Sequence, residues 1–210
     1  EMTMMSTRIV KKNAPQAVTV LDVVMPWGDY FAGNPRSLWP LRYVEQCVSA
    51  GIDFDAIGLQ VFLGAEGFRC RDVMAVSSLL DAFGSFGRPV HITAAGVPSK
   101  NAPDPADASE GKRDVAAGGQ WRRPWDETVQ SEWVDCFYNV AVGKPFVTAV
   151  SWGELSDQPG HYFPHAGLLN ADLQPKQSHG MMLGMKKQIW PEDGIPEVPM
   201  AQPEEPWLEY

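Results

Sequence analysis

The stretch PVHITAAGVPS, residues 89 to 99, reads as a strand that runs to the edge of a site and stops in glycine, proline and serine, yet it delivers only Ala94 and Ala95 there. A methyl group does no acid, base or nucleophilic chemistry. Other residue types in the chain do. His161 and His165 stand in an HxxxH spacing, which on a helix puts two imidazoles on one face as metal ligands. Pro164 between them places the pair in a loop, so no metal is expected. His91 lies inside the alanine-ended strand and is read as a hydrogen-bonded core histidine. Cys47, Cys70 and Cys136 are odd in number, scattered and without CxxC spacing, which argues against a disulfide framework and a zinc site. They are read as buried thiols. No cofactor is expected.

The elements that position these residues follow a simple grammar. Four times an apolar strand-like run precedes a segment of helical period. VTVLDVV (18 to 24) precedes a helix with Leu41, Val44 and Val48 on one face, and FDAIGLQVFL (54 to 63) precedes one with Val76, Leu79, Leu80 and Phe83. PVHITAAGV precedes Val129, Trp133, Cys136, Phe137 and Val140, and PFVTAVSWG (145 to 153) precedes Met182, Met185 and Ile189. The strands are nearly continuous in apolar residues, as when both faces of a parallel sheet are covered. Gly51, Gly87 and Gly143 sit where left-handed helix caps are wanted. STRIVKKNAPQA reads as the end of one more helix feeding the first strand, so the pattern starts in mid-repeat.

This is α/β grammar with right-handed crossovers, open to two architectures: a doubly wound sheet or part of an eight-stranded (β/α) barrel. The loops after the strands are long and rich in Trp, Pro, Gly and acids, whereas those before them are short. Elaboration therefore collects at the carboxyl ends of the strands, where both architectures keep their sites. Residues 191 to 210, with Pro and Glu throughout, read as an extended or disordered tail following a domain of residues 1 to 190.

Composition narrows the partners. Of 210 residues 44% are hydrophobic, enough to bury a sizeable core. Lys and Arg number 17 against 26 Asp and Glu, and the resulting −9 disfavours nucleic acid and membrane surfaces. No run approaches the roughly 20 apolar residues that cross a bilayer. The opening EMTMMSTRIVKKNAPQA has no uninterrupted apolar region and does not read as a signal peptide; compartment is left open. Eight tryptophans suit either a platform for flat ligands or core packing.

Four stretches, FDAIGLQVFLG, LLDAFGSFGRPVHITAAGVPS, WDETVQSEWVDCFYNVAVGKPFVTAVSWGELSD and HAGLLNADLQPKQSH, resemble in order and spacing the second half of the glycoside hydrolase family 10 barrel, the xylanase-like enzymes. Gly58 and Gln60, Ile92 and Thr93, Trp152, and Gly167 through Lys176 carry the resemblance across residues 7 to 190. It implies a partial (β/α)8 TIM barrel of about four βα units with parallel strands, corresponding to strands five to eight. It also implies a β-linked polysaccharide or oligosaccharide such as xylan as the ligand class.

The same resemblance places the family's nucleophilic glutamate at Ala94 and its acid/base glutamate on a strand before residue 1. Retaining glycosidases need two carboxyl groups about 5 to 5.5 Å apart, and inverting ones about 6.5 to 9.5 Å. Glu154, Asp157, Glu66 and Asp29 are the acids at strand ends open to that role, although exposed loop acids are usually only solvated. Trp152 resembles the tryptophan that floors the family's sugar site, Gln60 matches a glutamine near it, and Thr93 precedes the nucleophile position. Trp27 departs from the family's polar residues, and Phe62 lies near the place of its histidine. The resemblance implies a truncated unit, inactive alone. The alternative is a non-catalytic carbohydrate-binding or scaffolding half-barrel, and a small open α/β module without a sugar role is a third reading. Two unpaired strand edges predict a homo-oligomer or a complementary half-barrel as partner.

Overall fold

The computed structural model describes residues 1–34, 36–109 and 113–189. The 191–210 tail lies outside them. In chain order the elements are α1 (Met2–Asn13), β1 (Val20–Val23), α2 (Pro40–Ser49), β2 (Ala56–Phe62), α3 (Val73–Gly84), β3 (Val90–Gly96), α4 (Glu127–Val142), β4 (Val147–Trp152) and α5 (Gln177–Ile189). The helices start where local chemistry lets them. Asp72 accepts the Ala75 N–H at 2.7 Å and Asp126 accepts the Val129 N–H at 2.7 Å, each satisfying a donor of the first turn. Pro40 opens α2, where its missing N–H costs nothing.

The four strands are parallel and lie in sequence order, β1-β2-β3-β4. A doubly wound sheet reverses its order at a switch point; this one advances by one neighbour per unit, as a barrel wall does. The fold is therefore α/β, half of a TIM-barrel-like wall. The outer face of the sheet carries Leu21, Val23, Ile57, Leu59, Val61, Val90 and Ile92 against the helices, where Val44, Leu80, Phe83, Trp133 and Phe137 meet them. Trp133 and Phe137 stack at 4.5 Å, one helical turn apart.

Several local expectations shift. β1 alternates exposed and buried residues although its sequence is apolar but for Asp22, because only its helix side is packed. On α2 the buried positions are Pro40, Val44 and Cys47, one residue out of phase with the expected Val48, which is 37% exposed. Gly51 and Gly87 adopt positive φ of 65° and 66° as expected of caps, whereas Gly143 stays right-handed at −68° and needs no glycine for its conformation. Cys47 is buried, but Cys70 and Cys136 are half-buried. His91 is half-exposed on the inner face between the core residues Val90 and Ile92, so it is not a core histidine. No described helix is long and apolar enough to cross a membrane.

Candidate functional site

The carboxyl ends of the strands form one rim. β3 reaches it through a bulge: Leu59 pairs with Ile92 and Gln60 with Ala94, and on the other side Ile92 pairs with Val150 and Ala95 with Trp152. β3 thus holds an extra residue at Thr93–Ala94 relative to both neighbours, a device that re-aims side chains at a strand end. Ala94 sits there half-exposed. Beside it the rim is filled with apolar groups. Phe62 stacks on Phe163 at 4.9 Å, and Phe68 meets both rings edge-on. A Cβ on Gly96 would meet the Phe62 ring at 2.8 Å and one on Gly153 at 2.5 Å, so the ring lies over β3 and β4 only because both residues are glycine.

The acids singled out above are engaged elsewhere or face solvent. Glu154 accepts the Tyr162 N–H at 2.7 Å. Asp157 accepts the Gly167 N–H at 2.8 Å and pairs with Lys176 at 2.6 Å, its side chain 13% exposed. Glu66 is exposed on the turn after β2. Asp29 pairs with Arg71. Lys176, the last residue of the GLLNADLQPK stretch, is buried, and its Nζ also donates to Ser99 Oγ at 2.7 Å and to the His165 carbonyl at 3.2 Å. Burial lowers the pKa of its ammonium group, an effect the Asp157 carboxylate partly offsets. Ser178 donates to Gln130 at 2.8 Å, and Gln130 donates to the Val97 carbonyl at 2.9 Å. The most distinctive stretch of the sequence is thus a fastening between the β3 and β4 loops and the start of α5.

His161 and His165 are brought together by Asp104, which sequence reasoning did not single out. His161 Nε2 lies 2.8 Å from Asp104 Oδ2 and its Nδ1 2.7 Å from the Gln158 carbonyl. His165 Nδ1 lies 3.2 Å from the same Oδ2, its backbone N–H donates there at 2.9 Å, and its Nε2 lies 3.1 Å from the Ala102 carbonyl. Both rings face acceptors at both nitrogens, which leaves neither with a free nitrogen for a metal. Burial disfavours the His161 cation, but the Gln158 carbonyl and Asp104 outweigh it and its pKa is raised. Burial likewise opposes the Asp104 anion, and the His165 and Ala106 N–H groups with the neighbouring imidazoles overcome it, so that pKa is lowered. Among the described residues no group of three His, Cys, Asp or Glu is arranged to hold a metal.

Aromatic surface lies at the ends of the sheet. After β1, a cleft of about 420 Å³ is lined by Trp27, Gly28, Asp29, Phe31, Trp39 and Arg69. Trp39 is 51% and Phe31 46% exposed. Trp39 Nε1 donates to the Trp27 carbonyl at 3.3 Å, and Gly28, at φ 71°, leaves room for that indole: a Cβ would lie 2.6 Å from it. Arg71 covers the Trp27 ring at 5.5 Å. Trp152 is half-buried; its Nε1 donates to the Ala166 carbonyl at 2.8 Å and its ring meets Trp133 edge-on at 6.3 Å, so one edge is anchored in packing. Trp121, Trp125 and Trp133 are core residues. Trp39 and Phe31 were not singled out by sequence, since nothing in an aromatic residue's neighbours along the chain says whether it is covered. A larger cavity, about 630 Å³, lies between α3 and α4 and includes Cys70 and Cys136 in its wall. Burial pushes the Cys70 thiol up to about 11, which leaves it protonated and unreactive at neutral pH.

No protein-family model matches the chain, and no curated protein does. Solved structures do. The chain is similar to native xylanase 10B from Thermotoga maritima at TM-score 0.61 and 16% identity, over 89% of this chain and 52% of that one. It is similar to xylanase 10B from Thermotoga petrophila in complex with xylobiose at TM-score 0.60 and 16% identity, over 89% and 51%. A third likeness is to the N-terminal xylanase 10B modules of Clostridium thermocellum complexed with xylohexaose, at TM-score 0.60 and 17% identity, over 88% and 33%. The chain spans about half the length of the first two and a third of the last. At these identities the likeness is one of fold: a partial, glycoside hydrolase family 10-like barrel.

Proposed function

We propose that this glycoside hydrolase-like unit binds β-linked oligosaccharide and does not by itself hydrolyse it. The observation that carries the reading is Ala94 at the end of the bulged β3, with Phe62 closing the space over Gly96 and Gly153 beside it. Glycosyl transfer to the protein needs a carboxylate on one side of the scissile bond and an acid on the other. Glu154 and Asp157 hold loop backbone, and Asp157 neutralises Lys176. Recognition survives this loss. Trp27 with Trp39 and Phe31 offers flat apolar faces beside polar groups, the surface a pyranose ring stacks upon, and Gln60, Thr93 and the open part of Trp152 extend it along the rim.

The test is calorimetric titration with xylohexaose and cellohexaose beside a reducing-sugar assay on xylan. The native chain binds at least one oligosaccharide and releases no reducing ends. Trp39→Ala weakens binding roughly 3- to 10-fold, the worth of one exposed stacking contact. Ala94→Glu stays silent, because one carboxylate cannot both form the ester and protonate the leaving oxygen. Turnover by the native chain overturns the reading, as does absence of binding to either sugar. A second reading, closure of the sheet by partner strands, is favoured by the exposed Val18, Val20 and Val24 at the β1 edge.

A further inference from the structure

The inner face of the sheet carries one strand-borne carboxylate among the described residues, Asp22 of β1, and two other strands converge on it. Gln60 Nε2 of β2 donates to Asp22 Oδ2 at 2.7 Å, and Thr93 Oγ1 of β3 donates to Asp22 Oδ1 at 2.6 Å. Thr93 reaches across β2 because the residue paired with Asp22 on that strand is Gly58. A Cβ there would overlap Asp22 Oδ1 and meet the Thr93 methyl at 3.0 Å. The β3 bulge supplies the other half of the reach, since Thr93 is the residue it adds between Ile92 and Ala94.

Such convergence is not what solvation asks for. Asp22 is exposed and Gln60 and Thr93 half-exposed, so water alone would satisfy all three groups. Instead the carboxylate is clamped in one orientation by Gln60 and Thr93, which a glycine and a bulge let reach it. A carboxylate offers about four lone-pair sites and two are taken. Among the described residues no other hydrogen bond reaches the Asp22 carboxylate, and the Gln60 amide lies against it. This is an acceptor pair with an amide flank, matched to the vicinal hydroxyls of a pyranose. No second strand-borne acid faces it among the described residues, and the role read for it is binding.

We infer that Asp22, fixed by Gln60 and Thr93, is the hydrogen-bonding centre of a sugar subsite on the inner face, accepting two adjacent hydroxyls of the oligosaccharide. The inference rests on the oligosaccharide-binding reading above and names the side chains that hold the ring.

The test titrates xylohexaose into the native chain, Asp22→Asn and Asp22→Ala, with thermal melts of each. Charge-assisted hydrogen bonds to two hydroxyls make the expected loss about 10-fold or more for Asp22→Ala and several-fold for Asp22→Asn. Melting of Asp22→Asn stays close to native, because the side chain is exposed. Monodeoxy xylobioses then locate the contact. The derivative lacking the engaged hydroxyl binds the native chain more weakly than xylobiose, and binds Asp22→Asn no more weakly than xylobiose does. Should Asp22→Ala fail to fold, the Asn variant and the deoxy sugars decide. Native-like affinity in a folded Asp22→Asn, with every deoxy sugar losing equally on both proteins, overturns the subsite and leaves oligosaccharide binding standing. No binding by the native chain overturns the functional reading and the subsite with it.

Discussion

Replacing Asp104 by alanine tests the largest structural claim made for the rim, that one buried carboxylate ties the β3 loop to the β4 loop. Its side chain is 4% exposed and accepts from His161 Nε2, the His165 backbone N–H and the Ala106 backbone N–H at 2.8, 2.9 and 3.0 Å. Alanine strands those donors, and an unpaired imidazolium, in a dry site. Removing one partner of a buried pair costs about 3–5 kcal/mol. At roughly 2–4 °C per kcal/mol for a domain of this size, the melting temperature should fall by about 6–20 °C. Asp104→Asn keeps shape and one acceptor and should lose about half as much.

The dependence on pH carries the sign. The lowered Asp104 pKa contributes stability that is present above the unfolded value near 4 and lost as pH falls through the folded one. The raised His161 pKa contributes stability that is complete below about 6.5 and lost as pH rises through its folded value. Asp157 faces His161 as well and adds to the same effect. The penalty of Asp104→Ala, measured by urea unfolding, is therefore greatest between about pH 4 and 6.5 and shrinks above it. A penalty under about 1 kcal/mol at pH 5.5, or one identical at pH 5.5 and 8.5, would refute the pairing.

Lys176→Met leaves Asp157 charged and nearly dry, and should cost about 3–5 kcal/mol in denaturant unfolding. Adding Asp157→Leu should recover most of that loss, since an apolar pair of similar volume replaces a buried ion pair at little cost; no recovery would mean that Asp157 matters through the Gly167 N–H instead. Gly118→Ala drives a methyl into the backbone of Ala65 and Gly64 and should destabilise by about 1–3 kcal/mol or more. Gly180→Ala, within α5 and with open space at its Cβ, should instead stabilise by about 0.5–1 kcal/mol. Equal melting shifts for the two alanines would show that close approach at Gly118 is not limiting.

The alternation of strand and helix was legible because each unit repeats its own apolar period, and Ala94 was legible because a strand end with no reactive group is visible in the letters HITAAG. What escaped is what several segments build together. Asp104 lies in a loop with no period, and its histidines come from another loop about 60 residues on. Asp22 interrupts the apolar run VTVLDVV, a signal in plain view, but its meaning depends on Gly58 and a bulge two strands away. The HxxxH spacing misled in one respect only. It was read only as a metal-ligand pattern set in a loop, and in the fold it puts both rings on one carboxylate. The burial of Cys47 in place of Val48 is a phase error of one residue on a ten-residue helix, too short for its period to fix which side faces in.

Among the described residues four strands are flanked by five α-helices, and the fifth bears on how a sheet of this kind can close. α1 lies along the helix side of β1, with Thr3 bonded to Tyr43 and Lys11 paired with Asp55, while α5 leaves β4 at the other end. In a closed (β/α)8 ring each seam between neighbouring strands is roofed by a single helix. Two copies of this unit set edge to edge would bring α5 of one and α1 of the other over the same seam, twice around, giving ten helices for eight roofs. A twin would therefore carry one helix too many at each join, whereas four strands with only the three helices between them would not.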